Sequence, residues 1–296
     1  MNALRISSII TALLLFGIIG IHAQTTNKQR EQGAVVYDLP RMDDAIIKRN
    51  IPYQDMTGSP LKMDIYYPPD FDFQSKIPAV IVVLGYPDVA GKKLLGSEFK
   101  NYIQLVSWCK IISASGMAGI VYESDNPEKD IITLSNYLKT NEDIVKIDIN
   151  KIGAWTCSAH TPTTISYILN GTDNIFKCAV VYYGFFLTND FKYLPQIDTL
   201  SQNMGFKTPR LSEPNAWRKD VPIMIIRAGK DNVPYINQTL SSFYDKALNQ
   251  DLSITLINYQ NGVHGFDTAL DNETTKQIIK TTLEFWKFNL FGPDRR

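Results

Sequence analysis

Apolar positions along the chain fall into short continuous runs and helically spaced stripes that take turns. Leu61-Lys62-Met63-Asp64-Ile65-Tyr66-Tyr67 alternates in the manner of a half-buried strand, and Pro68-Pro69 ends it. Pro78-Ala79-Val80-Ile81-Val82-Val83-Leu84 is apolar and β-branched throughout, as a strand buried on both faces should be, and Gly85-Tyr86-Pro87-Asp88 breaks it. Residues 97–114 carry Phe99, Ile103, Leu105, Val106, Cys109 and Ile112 at helical spacing, closed by Gly116. A buried strand follows at 117–122. Asp125-Asn126-Pro127 opens a second helix, with Pro127 near its first turn. The same beat continues: strand 152–157, helix 159–170, strand 178–183, strand 222–226, helix 235–249, strand 253–259 and a closing helix at 274–288. Residues 24–45 read as a loose lead-in, and Thr57-Gly58-Ser59-Pro60 as a turn.

Strands alternating with helices predict an α/β fold with a mostly parallel, doubly wound sheet and helices on both faces. One stretch leaves the rhythm. Residues 185–220 are rich in Pro, Asn, Asp and Ser and carry Phe185, Phe186, Phe191, Tyr193, Leu194 and Trp217. They read as a small cap-like insertion in a single domain spanning 24–296, long enough to cover a pocket. Their aromatic side chains serve either packing or substrate contact.

Composition changes the picture mainly by exclusion. Of 296 residues, 30 are Lys or Arg and 30 are Asp or Glu, so no basic excess points to nucleic acid and no polybasic run points to a membrane surface. Arg5 followed by the apolar run Ile9–Gly20 and ending at Ala23 reads as a signal peptide over 1–23. The mature chain is then expected to be periplasmic or secreted, without stable membrane association. It would keep Cys109, Cys157 and Cys178, an odd number at unpatterned spacing, so no disulfide framework is visible. With His22 in the leader, only His160 and His264 remain, which makes a multi-histidine metal site improbable. Nothing in the chain fixes an oligomeric state.

In such sheets ligands gather at the carboxyl ends of the strands. Ser158 follows the strand at 152–157, Arg227-Ala228-Gly229-Lys230-Asp231 the strand at 222–226, and Gln260-Asn261-Gly262-Val263-His264-Gly265-Phe266 the strand at 253–259. A serine hydroxyl needs a base to take its proton as it attacks, an imidazole can do so near neutrality, and a carboxylate on the far ring nitrogen fixes the tautomer. Ser158, Asp231 and His264 are therefore the candidate catalytic residues. An oxyanion needs backbone N–H donors. Ala159, at the helix start, and Tyr86, in the turn after an earlier strand, are placed to supply them. Gly85, His160 and Trp217 are the pocket candidates.

Four segments together carry a resemblance. They are Gly85-Tyr86-Pro87-Asp88, the elbow Lys151-Ile152-Gly153-Ala154-Trp155-Thr156-Cys157-Ser158-Ala159-His160, Arg227-Ala228-Gly229-Lys230-Asp231, and Val263-His264-Gly265-Phe266. From about residue 60 to its end the chain resembles the α/β-hydrolase superfamily, and within it dienelactone-hydrolase-like esterases, with its order of Ser, Asp, His. The resemblance implies an α/β-hydrolase fold and hydrolysis of a small-molecule ester without metal or organic cofactor. Both glycines of G-x-S-x-G are absent, replaced by Thr156 and His160, so Ser158 is expected in a strained turn with the following helix held slightly outward by His160.

Rival readings stand beside these. Ser158 as a simple helix cap would carry no chemistry. Cys157 is a competing nucleophile, because dienelactone hydrolases use a cysteine, but alternation along a strand turns it away from the pocket. Asp267 and Glu123 are alternative acids. At the level of function, a prolyl-oligopeptidase-like peptidase and an inactive hydrolase-fold binding protein are the alternatives. The insertion suggests a small or accessible ester.

Overall fold

The computed structural model describes residues 31–54, 60–171, 174–204, 208–212 and 217–292. The leader at 1–23 and most of the turn at 57–60 lie outside the described residues. The strands are β1 (Ile46–Pro52), β2 (Lys62–Tyr67), β3 (Ile77–Val82), β4 (Ala118–Tyr122), β5 (Ile147–Cys157), β6 (Phe176–Tyr182), β7 (Ile223–Ala228) and β8 (Ile254–Tyr259). They form one sheet in the order β1-β2-β4-β3-β5-β6-β7-β8. β1 and β2 run antiparallel to their neighbours, and every pair from β4 onward is parallel.

β1 is the strand that the hydrophobic pattern does not announce. Lys48-Arg49-Asn50 interrupts its apolar residues, and the register to β2 shifts between Lys48 and Ile51. Asn50 takes a positive φ of 57° inside that bulge. β2 differs from its pattern too. Met63 to Tyr67 are all buried, so the alternation marks no solvent face. The polar Asp64 is 1% exposed because cations cover it: Lys100 Nζ and Arg49 Nη1 each lie 3.3 Å from its carboxylate. A buried charge with such partners is tolerated where a bare one is not.

The helical stripe at 97–114 is broken in the fold. A first helix, α1 (Asp88–Leu95), is closed by Gly96 at φ 76°, a left-handed cap suited to glycine. A 3-10 turn at Phe99–Asn101 and an extended Tyr102 separate it from α2 (Ile103–Ala114). Then come α3 (Pro127–Val145), α4 (Thr161–Asn170), α5 (Leu194–Met204), α6 (Ile236–Asn249), α7 (Phe266–Ala269) and α8 (Glu273–Phe291). α5 lies in the 185–220 segment.

Both faces of the sheet are covered. On one, Trp155 of β5 meets Trp108 of α2 at 5.1 Å, and Trp108 meets Trp286 of α8 at 6.0 Å between ring centroids. The next residue, Thr156, points to the other face, where the Thr164 hydroxyl of α4 donates to it at 2.9 Å. The continuous apolar run of β3 has its predicted consequence: Ala79 to Leu84 are at most 1% exposed. Among the described residues no helix is long and apolar enough to cross a membrane.

Candidate active site

The site forms at the carboxyl ends of β5, β7 and β8, with β6 between β5 and β7. β5 stops at Cys157 in extended backbone, and Ser158 reverses the chain at φ 49°, a left-handed conformation costly for a residue with a Cβ. A 3-10 turn over Ser158–His160 leads into α4. β7 and β8 pair in register up to Ala228 and Tyr259. Beyond them the two loops are laced together: Gly229 N–H donates to Tyr259 O at 2.8 Å and Lys230 N–H to Gly262 O at 2.7 Å. A Cβ on Gly229 would fall 2.3 Å from Gln260 O, so only glycine lets these loops approach so closely.

That closeness brings acid and imidazole together. Asp231 Oδ2 is 2.8 Å from His264 Nδ1, and His264 Nε2 is 3.0 Å from Ser158 Oγ. The other Asp231 oxygen accepts from Val233 N–H at 2.9 Å. The Asp231 side chain is 1% exposed and that of His264 10% exposed, so their bond is shielded from water. The Tyr183 ring lies 4.7 Å from the imidazole and backs it. With Asp231 accepting from Nδ1–H, Nε2 presents its lone pair to Ser158, the tautomer a proton acceptor needs.

The elbow accommodates both departures from glycine. Thr156 is fully buried, and its hydroxyl is engaged by Thr164. At the second position, His160 does not hold the helix outward. Gly85, across the gap, packs against the His160 backbone so closely that a Cβ on Gly85 would lie 2.6 Å from His160 Cα. The His160 ring reaches over the β3 turn, where its Nδ1 accepts the Gly85 N–H at 2.7 Å. Burial lowers its pKa to about 4, so the ring is neutral near pH 7. Since the Gly85 N–H is engaged, the next in that turn is Tyr86 N–H, while Ala159 N–H opens the turn after Ser158. The Tyr86 hydroxyl is hydrogen-bonded to Thr208 of the 185–220 segment.

A cavity of about 50 Å³ opens beside Ser158. Its wall is mostly apolar, from Leu94 and Leu95 of α1, Phe99 and Tyr102 of the connecting turn, and Leu105 of α2, together with Tyr86, Ala159 and His160. Cys157 lies on this wall as well, contrary to the expectation that it faces away. Its thiol is hydrogen-bonded to Tyr183, and burial raises its pKa well above the ordinary range, which disfavours the reactive thiolate. Trp217 lies elsewhere, its ring packed on Phe243 of α6 at 5.5 Å and its backbone N–H donating to Gln250 Oε1.

The two alternative acids have other partners. Glu123 accepts from Lys62 N–H at 2.9 Å and sits 3.5 Å from Lys100 Nζ. Asp267, fully buried, accepts from Gln104 Nε2 and Trp108 Nε1, each at 2.9 Å, and from the Tyr183 hydroxyl at 2.8 Å. Sequence reasoning does not reach this network or the wall residues of α1. Their only signal is ordinary apolar spacing, and what unites them is tertiary. Among the described residues no group of three or more His, Cys, Asp or Glu side chains could hold a metal ion.

No protein-family model matches the chain, and no curated protein sequence does. Solved structures match it. An esterase of the planctomycete Thermogutta terrifontis, bound to butyrate, is similar with a TM-score of 0.60 at 16% identity, over 84% of this chain and 97% of that one. The same enzyme phosphoramylated by tabun gives the same four values, 0.60, 16%, 84% and 97%. Esterase LipW from Mycobacterium marinum is similar with a TM-score of 0.62 at 12% identity, over 84% of this chain and 83% of that one. At these identities the likeness is one of fold, and with the strand order above it shows an α/β-hydrolase fold.

Proposed function

We propose that this protein is an exported serine hydrolase that cleaves a carboxylic ester through an acyl-enzyme. Ser158 is the nucleophile, His264 the base and then the acid, and Asp231 the carboxylate behind it. The observation that carries the reading is the unbroken relay from Ser158 Oγ through His264 to Asp231, at 3.0 and 2.8 Å, anchored on a serine at φ 49°. The esterase neighbours, one of them bound to butyrate and covalently modified by tabun in another structure, support the same chemistry. The four motif segments favour a place among dienelactone-hydrolase-like esterases, with serine in place of cysteine.

In the first half-reaction Ser158 Oγ bonds to the ester carbonyl carbon as its proton passes to His264 Nε2. The carbonyl electron pair moves onto oxygen, where the N–H groups of Ala159 and Tyr86 donate to it. The C–O bond to the alcohol breaks, and His264 returns the proton to the departing oxygen. In the second half water takes the alcohol's place, His264 accepts its proton, and the carboxylic acid leaves while Ser158 recovers its hydrogen. An apolar cavity of about 50 Å³ is small beside the roughly 150 Å³ that holds a benzene, which favours acetyl and other short acyl groups.

Ser158→Ala is expected to lower p-nitrophenyl acetate turnover at least about 10³-fold while leaving the circular dichroism spectrum unchanged. A fluorophosphonate probe should phosphonylate Ser158 with loss of fluoride, adding the mass of the probe less HF to the Ser158 peptide. Undiminished turnover in the variant, or an adduct on Cys157, would overturn the assignment. A folded protein inert to both reagents would favour the inactive binding protein.

A further inference from the structure

The relay leaves His160 without a role, although it fills an elbow position where glycine is usual. Three successive N–H groups at the end of β3 are held by three different walls. Val83 N–H donates to Trp155 O of β5 at 2.9 Å, Leu84 N–H to the Tyr122 hydroxyl of β4 at 3.1 Å, and Gly85 N–H to His160 Nδ1 at 2.7 Å. The next residue is Tyr86, whose N–H is the second oxyanion donor in the reading above. Gly85 is thus fixed twice, at its N–H by the ring and at its Cα by the His160 backbone.

We propose that His160 is a positioning residue for the oxyanion turn: by accepting the Gly85 N–H on Nδ1 and seating Gly85 Cα on its own backbone, it aims the Tyr86 N–H at the oxyanion. This rests on the hydrolase reading and deepens it. The ring is itself held edge-on, by Phe99 at 4.9 Å and 86° and by Tyr86 at 5.8 Å and 75°. For the bond to form, Nδ1 must carry a lone pair, so the ring is neutral with its proton on Nε2. Burial keeps it neutral down to about pH 4. With Nδ1 occupied, His160 does not compete with His264 for the serine proton at that atom. Its effect lies in geometry, which matters because a donor must meet the oxygen of the transition state and not that of the ground-state carbonyl.

Four proteins and two readouts test this. His160→Leu keeps bulk without an acceptor, His160→Asn can place an amide oxygen near the Nδ1 position, and His160→Gln carries its oxygen one carbon further out. With p-nitrophenyl acetate, His160→Leu is expected to lose about 10- to 100-fold in kcat with KM within about twofold, and to bind a trifluoromethyl ketone more weakly by the same factor as its kcat. His160→Asn should recover kcat to within about fivefold of wild type, and His160→Gln less. Should His160→Leu fail to fold, the contrast between Asn and Gln decides. Wild-type kcat in His160→Leu, a loss that falls on KM alone, or equal kcat in Asn and Gln would overturn the inference.

The bond itself is read separately, as the nitrogen–nitrogen coupling between Gly85 N and His160 Nδ1 in 15N-labelled wild-type protein. Its presence is expected, and its absence overturns the inference whatever the activity. A wild-type protein that shows the coupling but hydrolyses no acyl ester overturns the hydrolase reading, and with it the oxyanion role of the turn, while leaving the bond standing.

Discussion

Two carboxylates flank the histidine loop, and their surroundings fit them for different work. Asp231 has one oxygen on His264 Nδ1 and the other on a backbone N–H. Asp267 spends its oxygens on Gln104, Trp108 and Tyr183, and burial raises its pKa. Asp231→Asn is expected to lower kcat by about 10³- to 10⁴-fold with little change in melting temperature, because the wrong imidazole tautomer is then favoured. Asp267→Asn should do the reverse. Its amide turns a donor toward other donors, costing about 2 kcal/mol, or roughly 4–8 °C, while kcat per folded molecule stays within about tenfold of wild type. Calorimetry alongside kinetics separates the two. The titration of His160 and Asp88 gives a further check. Folding lowers the His160 pKa from 6.5 to about 4, so the unfolded chain binds the extra proton and stability falls as pH drops through that window. Burial raises the Asp88 carboxyl from 3.8 to about 6, so its contribution is full below about pH 4 and is lost as pH rises through about 6. Urea unfolding from pH 7 to pH 4 should therefore show wild type losing stability relative to His160→Asn. Relative to Asp88→Asn it should gain, each change being on the order of 1–3 kcal/mol.

At the scale of elements, the strands that carry chemistry are the legible ones. β3, β5 and β7 announce themselves as apolar runs, β8 is a mixed strand, and the residues just past them are read by counting. β1 is hidden by a bulge placed inside Lys48-Arg49-Asn50, and α1 by its short length and polar surface, with Lys92 and Lys93 exposed. The burial of β2 was illegible for another reason: Asp64 looks like a solvent-facing residue until Lys100, 36 positions away, is brought over it. The cavity wall shares this character, because Leu94, Phe99 and Leu105 become neighbours only once the turn at 96–102 is folded. Asp88 clamps that turn, accepting Phe99 N–H and Ser124 N–H at 2.8 Å each. Leu94 is half-buried, so Leu94→Ala should widen the cavity at modest cost. A panel of p-nitrophenyl esters is expected to show preference moving from acetate toward butyrate and hexanoate, by about fourfold in kcat/KM per added methylene.

On the scale of the whole molecule, the sheet order does what proximity in sequence cannot. Ser158 and His264 are 106 residues apart, and His264 and Asp231 are 33 apart, yet they meet because β5, β6, β7 and β8 lie in consecutive order. The three cysteines are buried and free, so nothing among the described residues needs an oxidising compartment to fold. A reductant is expected to leave the melting temperature unchanged to within about 1 °C. The proposed leader has its own test. When the full chain is expressed in a bacterium with an export pathway, the protein recovered outside the cytoplasm should begin at Gln24, as read by N-terminal sequencing. An intact Met1 on that protein would remove cleavage after Ala23 from the proposal, and protein found in the cytoplasm alone would remove export.

The elbow of Thr156, Ser158 and His160 also bears on how such sites are recognised. The crowding that a glycine relieves arises between two backbones, and either backbone can yield the room. Here the opposite wall yields it, at Gly85. Gly85 is therefore needed whatever side chain stands at 160, because a Cβ on it would meet the His160 backbone and not the ring. Across related chains the position of Gly85 should stay small while that of His160 varies, and a search string that demands glycine inside the elbow will pass over members that keep it only across the gap.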